Sequence, residues 1–518
     1  VVTERETEQR EPRATTPAAR LRPPLPLLVF VVGSASLGAE IAAARLLAPY
    51  FGASTTVWAN TIATVLVALS VGYWLGGRLA DRRPLHRHLC ALVLVASVGI
   101  AAIPFVARPF LDTAVGALSH ISAGAFLGSL LGVLVLVAGP VLLLGAVAPY
   151  AIRLSVTDVA TSGATAGRLY GISTAGSLAG TFLAALLLVP FAGTRRTFLI
   201  FALALALVAV SGLRRRWLIV PLALAALIAL PPGQIKAESD DGKVVYETET
   251  EYQYARVVEY PDGARALELN EGLARHSLYR PNSYLTGDYW DDFLVAPRTA
   301  LGAPPRKLAI LGNAAGTMAR AYGHYFPETA IDAVEIDGEV TEIGRKYFDM
   351  RAPHLRTFAE DARPYLRRHT EARYDAIFVD AYRQPYIPFY LTTNEFFRLC
   401  RERLSAGGVV VINVGHPRGS GDLERDLTRT LRSAFPTVLR DPAKPTNTVL
   451  IASAAPASAG RLAAQVGTLP TGIRKLGREA AARTGPPLSG GEVFTDDRAP
   501  VEWLIDASIV KYAADGDG

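Results

Sequence analysis

Long apolar stretches recur from Leu25 to Leu230 and then stop. Each is close to the roughly 20 residues that a helix needs to cross a bilayer. They are expected near residues 25–47, 57–77, 89–107, 125–150, 171–192, 197–213 and 217–231, seven in all, with the sixth and seventh short and closely spaced. Pro231-Pro232-Gly233 ends this region and the pattern changes. Residues 243–280 alternate apolar and polar positions around a Pro261-Asp262-Gly263 turn, which predicts a small antiparallel β-unit. A helix is expected from Asp288 to Pro297, and from Lys307 short apolar runs alternate with helical patterns, as in a doubly wound sheet. The fold class is a multi-pass α-helical membrane domain, then a small antiparallel β-unit and an α/β Rossmann-like domain. The expected boundaries are a disordered tail at 1–24, transmembrane helices at 25–231, a linker at 232–242, the β-rich unit at 243–300 and the nucleoside-binding domain at 301–518. The first apolar segment is too long, and lacks the cleavage site, for a secretory signal.

Within the Rossmann-like region, KLAILGNAAGTMARAYGHYFPETAIDAVEID (307–337) reads as strand, glycine turn, helix and strand. Gly312 and Gly316 would let a ligand approach the backbone, and Glu335, about 20 residues on, can accept both hydroxyls of a ribose. Glu360-Asp361 follows a third short strand, and Asp380 ends the apolar strand YDAIFVD. In such sheets ligands collect beyond the carboxyl ends of the strands, where Gly312, Glu335, Asp361 and Asp380 all fall. A ribose acceptor, a partner for an adenine amino group and a general base at Asp380 make a coherent nucleoside pocket; helix capping is the competing role for each acid.

Charge alters the picture mainly in the membrane half. The formal net charge is only +6 over 518 residues, and much of the arginine excess lies in short loops between apolar segments, which argues for membrane orientation and against nucleic-acid binding. Arg78, Arg82, Arg83, Arg153, Arg168 and Arg214–Arg216 mark one side as cytoplasmic together with the N-terminus. Seven spans would then put the C-terminal domain on the far side, away from the cytosolic supply a nucleoside-using enzyme needs. Glu40 and Arg45 are the polar candidates of the first segment, either as a pair or in transport. Gly176 and Gly180 suit close helix packing, and Trp58, Tyr73 and Trp74 suit the membrane interface. The two cysteines, Cys90 and Cys400, offer neither a disulfide framework nor a metal site.

VEID at 334–337, AED at 359–361, YDAIFVD at 374–380 and Gly407-Gly408 resemble, in order and spacing, the spermidine synthase family of polyamine aminopropyltransferases. LNEG at 269–272, DAYRQPYIPFYLTT at 380–393 and TDDRAPVEWL at 495–504 resemble its membrane-fused branch. The resemblance implies a methyltransferase-type fold, no tightly bound cofactor, decarboxylated S-adenosylmethionine as co-substrate and an amine such as putrescine as acceptor. It also implies that Gln253 contacts the thioether end, Glu335 the ribose and Asp361 the adenine, that Tyr289 faces the acceptor, and that Asp380 deprotonates the amine. A homodimer stays open. The chain departs from the family where Ala315 replaces a carboxylate of the glycine turn, where Arg383 or Gln384 stands in place of an acid after Asp380, and where 441–449 read DPAKPTNTV. These departures keep two alternatives open: an S-adenosylmethionine-type transferase with another acceptor, and a non-catalytic nucleoside-binding transport or sensor protein.

Overall fold

The computed structural model describes residues 23–51, 55–118, 124–230, 242–270, 274–382 and 386–514. Residues 1–22 of the expected tail, most of the expected linker, Glu271 and Gly272 of LNEG, and Arg383 and Gln384 lie outside them. The apolar region forms α1 (Leu25–Phe51), α2 (Thr55–Arg82), α3 (His86–Leu118), α4 (Gly124–Leu136), α5 (Ala138–Gly145), α6 (Val147–Ser155), α7 (Ser162–Phe182), α8 (Val189–Ala192), α9 (Thr194–Val210) and α10 (Ile219–Ala229). Leu183–Leu188, between α7 and α8, is π-helical.

Among the described residues, five stretches are long and apolar enough to cross a membrane: Leu25–Phe51, Val57–Arg82, His86–Ala114, Ala138–Ser155 and Val159–Ala192. Of the seven expected segments, the sixth and seventh become α9 and α10, of 17 and 11 residues, α9 at the lower limit for crossing a bilayer and α10 below it. Leu28, Ala39, Val93, Tyr150 and Phe198 share the core of this half. At Gly176 a Cβ would lie 2.1 Å from the Phe30 carbonyl oxygen, and at Gly180 one would lie 2.0 Å from that of Ser34, so α7 rests directly on the backbone of α1. Glu40 is buried and makes no ion pair among the described residues, Arg45 included. Tyr73 and Trp74 are exposed, with the Arg78 guanidinium 3.8 Å from the Trp74 ring centre.

The β-unit is a four-stranded antiparallel sheet in the order β1 (Lys243–Glu249), β2 (Tyr254–Glu259), β3 (Arg265–Leu269), β4 (Arg275–Tyr279). The expected helix after it is two 3₁₀ segments, Tyr289–Leu294 and Ala296–Thr299. The α/β domain follows with β5 (Lys307–Leu311), α11 (Thr317–Tyr325), β6 (Ala330–Glu335), α12 (Gly338–Tyr347), β7 (Leu355–Ala359), α13 (Ala362–Arg368), β8 (Tyr374–Val379), α14 (Asn394–Arg403) and β9 (Leu404–Gly415). Then come α15 (Asp422–Ala434), β10 (Thr437–Lys444), β11 (Asn447–Ser453), α16 (Ala459–Gln465), α17 (Arg474–Arg483) and α18 (Val501–Ala514). Its sheet order is β10-β11-β9-β8-β5-β6-β7. The pairs among β5 to β9 are parallel, and β11 is antiparallel to both β9 and β10. That reversed hairpin at one edge gives a methyltransferase-like α/β fold rather than a purely parallel dinucleotide fold. Strand order reverses at β5, with β6 and β7 to one side and β8 and β9 to the other, which opens a crevice at the carboxyl ends of β5 and β8.

The two halves touch through named groups. Arg45, near the end of α1, donates from Nη2 to the Thr250 carbonyl oxygen. Thr194, at the start of α9, donates from its backbone N–H and its hydroxyl to the Glu249 carboxylate at 2.7 and 2.5 Å. A carboxylate at a helix N-terminus is favoured by the helix dipole, so Glu249 caps α9 from the neighbouring sheet. The arginine-rich connection after α2 lies at the other end of the bundle, where Arg153 pairs with Asp81 at 3.2 Å.

Gly180→Leu should destabilise the detergent-solubilised protein by about 1–3 kcal/mol, because the α1–α7 contact has no room for a side chain. Gly167→Leu, where a Cβ meets nothing within 4 Å, should leave the thermal midpoint unchanged. Equal effects would show that α7 does not pack on α1 through Gly180.

Candidate active site

Three parallel strands deliver acids to one edge. Gly312, at the end of β5, has φ +85°, and a Cβ there would lie 2.4 Å from Ala381 Cα and 2.6 Å from the Asp380 carbonyl oxygen. Glycine is therefore required for β5 and β8 to end side by side. Gly316 has φ +87° and faces Met350, not the crevice; it fixes the turn into α11. Ala315 is fully buried in the turn, donating its N–H to Ser277 Oγ at 3.0 Å.

Glu335, at the end of β6, accepts from the backbone N–H groups of Ala314 at 2.9 Å and Asp337 at 3.2 Å. Burial pushes its carboxyl up to about 7 despite these donors. Its remaining acceptor sites can take hydroxyls. Asp337 caps α12 through the Glu339 N–H at 3.1 Å and accepts from Thr250 Oγ1 at 2.6 Å and Gln253 Nε2 at 3.3 Å. That carboxylate holds Gln253 at the rim and ties β1–β2 to the α/β sheet. Asp361 takes the capping role and has a second partner. One oxygen caps α13 through the Arg363 N–H at 2.9 Å, and the other accepts from the Tyr390 hydroxyl at 2.6 Å. Arg363 grips Asp496 of the TDDRAP stretch at 2.6 and 2.7 Å, which fastens the C-terminal segment beneath this corner.

Asp380 is the most elaborately held group. Tyr289 Oη donates to its carboxylate at 3.1 Å, Trp290 Nε1 at 3.1 Å and Asn413 Nδ2 at 2.9 Å. Asn447 Nδ2 in turn donates to Asn413 Oδ1 at 3.0 Å, which fixes the direction of the Asn413 amide. Burial pushes the Asp380 carboxyl up to about 7; the three donors oppose this to a smaller extent, and the nearby Asp288 charge adds slightly to it. Burial and the Asp380 charge also push the Tyr289 hydroxyl up, so it remains a donor. A carboxylate offers about four acceptor positions, so one is left for an incoming proton.

Gly312, Glu335, Asp361, Gln253, Tyr289 and Asp380 all line one cavity of about 1110 Å³. Gly316 and Glu40 do not line it. Arg45 and Trp58 do, as do Ile41, Ala185 and Val189, so the helical half contributes a wall. Pattern reading missed Trp290, Tyr390, Asn413 and Asn447. An asparagine at the end of an apolar strand, as Asn413 ends VVVIN, is the one signal that could have flagged any of them.

Residues 297–450 match the spermine/spermidine synthase domain. A probable polyamine aminopropyl transferase of Bifidobacterium longum is 32% identical over 295 residues, covering 53% of this chain and 65% of the relative. A polyamine aminopropyltransferase of Vibrio vulnificus is 37% identical over 134 residues, covering 25% of this chain and 44% of the relative. This chain thus spans just under two thirds of the first and less than half of the second. The crystal structure of a probable spermidine synthase from Corynebacterium glutamicum aligns with 21% identity and a TM-score of 0.37 over 48% of this chain and 97% of that one. Residues 297–450 therefore carry a spermine/spermidine synthase domain, and the chain is similar to polyamine aminopropyltransferases, with a helical region on the N-terminal side of that domain.

Because the Asp380 carboxyl titrates near 7 when folded and near 3.8 when free, the unfolded chain loses this proton first. Its contribution to stability is therefore fully present below about pH 4 and is lost as pH rises to about 7. The stability difference between the wild type and Asp380→Asn should fall across that window and level off above it. A pH-independent difference would mean that the carboxyl is not buried as described.

Proposed function

We propose that the protein is a membrane-anchored aminopropyltransferase that moves an aminopropyl group from decarboxylated S-adenosylmethionine to an amine. One observation carries this reading: a buried carboxylate held by three neutral donors opens onto the same cavity as the strand-end acids Glu335 and Asp361. Glu335 accepts the ribose hydroxyls, Asp361 and its Tyr390 partner face the adenine, and Gln253 lies at the sulfonium end.

An ammonium has no lone pair, so the acceptor must lose a proton before it attacks. Asp380 takes that proton, and a base near 7 suits neutral pH. The nitrogen lone pair then forms a C–N bond to the propyl carbon beside sulfur. The C–S bond breaks, its electron pair stays on sulfur, and neutral methylthioadenosine leaves. Tyr289, Trp290 and Asn413 fix the carboxylate for this transfer, and no tightly bound cofactor takes part. Positioning of the two reactants contributes much of the remaining rate.

The five long apolar helices support placement in a cell membrane. The arginine-rich connections lie at the end of the bundle opposite the synthase domain. The positive-inside rule turns that end to the cytoplasm and the active site away from it.

Asp380→Asn should lower kcat about 10²–10⁴-fold while methylthioadenosine binding stays within about threefold, and wild-type kcat should rise with pH through about 7. Retained turnover in the variant would overturn the reading. Orientation is tested by placing a cysteine at exposed Arg351 and adding a membrane-impermeant thiol reagent to intact cells. Labelling is expected, and protection until lysis would put the site in the cytoplasm.

A further inference from the structure

The acceptor end of the cavity is unusual in what surrounds it. Asp288, whose charge acts on Asp380, already pairs with Arg275 at 3.3 Å and accepts from the Tyr289 N–H at 2.9 Å. The groups on Asp380 itself are a phenol, an indole and an amide, all neutral. Among the described residues, Asp380 is the carboxylate that these neutral groups present at this end, which suits one ammonium.

The helical wall is apolar except for Arg45, whose guanidinium donates to the Thr250 carbonyl oxygen. Ile41 of α1, Ala185 of the π-helical turn and Val189 of α8 line the same cavity as Asp380. On that same short segment Leu186, Leu187 and Phe191 point outward, exposed by 60%, 52% and 82%. One helical layer therefore separates the cavity from an exposed apolar surface, which a bilayer would cover. That layer contains the π-helical turn Leu183–Leu188, and such turns occur mostly as short bulges within α-helices, frequently at functional sites. The cavity, about 1110 Å³, is also at the upper end of what a small-molecule site needs, which leaves space beyond a nucleoside and a small amine.

We propose that the acceptor is a primary amine carrying a hydrocarbon chain, its amino group at Asp380 and its chain along Ile41, Ala185 and Val189, entering from the bilayer. This rests on the aminopropyltransferase reading and names the acceptor class for it. The reaction is unchanged: the amine nitrogen forms the C–N bond, Asp380 takes the proton and methylthioadenosine departs. The helical half would then be part of the active site as well as an anchor.

The test uses the full chain in lipid nanodiscs with decarboxylated S-adenosylmethionine and measures methylthioadenosine release. The acceptors are putrescine and a series of linear alkylamines from butylamine to hexadecylamine. Apparent kcat/KM should rise about threefold to fourfold per added methylene before reaching a plateau. Partition of longer amines into the disc would also raise rates, so Ala185→Trp is measured in the same discs. That variant should move the plateau to shorter chains, a shift that partition alone does not give. Should Ala185→Trp fail to fold, Val189→Phe serves the same purpose. A preference for putrescine with a flat alkylamine series, or a plateau that neither variant moves, would overturn the proposal and leave the aminopropyltransferase reading standing. Turnover of no amine at all would overturn both.

Discussion

Burying carboxylates along one sheet edge is the constraint that organises the C-terminal half. A carboxyl taken out of water must be hydrogen-bonded or neutral, and each acid on this edge has been given specific partners. Glu335 has two backbone N–H groups, Asp337 has Thr250 and Gln253, Asp361 has a helix terminus and Tyr390, and Asp380 has Tyr289, Trp290 and Asn413. These partners come from the β-unit, the 3₁₀ segment and both sides of the α/β sheet. Satisfying the acids therefore locks together the parts that form the cavity. The incomplete compensation at Glu335 and Asp380, each raised to about 7, is also what makes a useful base at neutral pH.

The same logic extends to the helical half. Glu249 caps α9 and Arg45 reaches Thr250, one residue away on the sequence and one hydrogen bond from Asp337. A short polar path thus runs from the end of α1 to the nucleoside edge. The helices are more than an appendage to the sheet domain, since Ile41, Arg45, Trp58, Ala185 and Val189 line the cavity.

Much of this was legible in the sequence, and the reasons are physical. Apolar strands ending in acids announce their register, because a parallel sheet buries both faces and its polar ends must lie at the edge. Glu335, Asp361 and Asp380 could be placed that way. The number of long helices could not be read reliably, because α9 is apolar enough to pass for a span while buried between α1 and α3 in a helical core. Gly316 read as a ligand contact because left-handed glycines look alike whether they face a ligand or, as here, the Met350 side chain. Trp290, Asn413 and Asn447 were invisible because the first two meet Asp380, and Asn447 meets Asn413, only after segments distant in sequence are brought together. Arg45 looked like a partner for Glu40, five residues away, but its reach across the domain boundary depends on tertiary packing that periodicity does not encode.

The central claim is that the strand-end acids form a nucleoside site beside a base. Calorimetric titration of the full chain with methylthioadenosine, in the wild type and in Glu335→Gln, tests it most directly. The account predicts saturable one-to-one binding in the wild type and a loss of about tenfold or more in the variant, as expected for hydrogen bonds to a charged acceptor. No binding in the wild type, or equal binding in both, would contradict it.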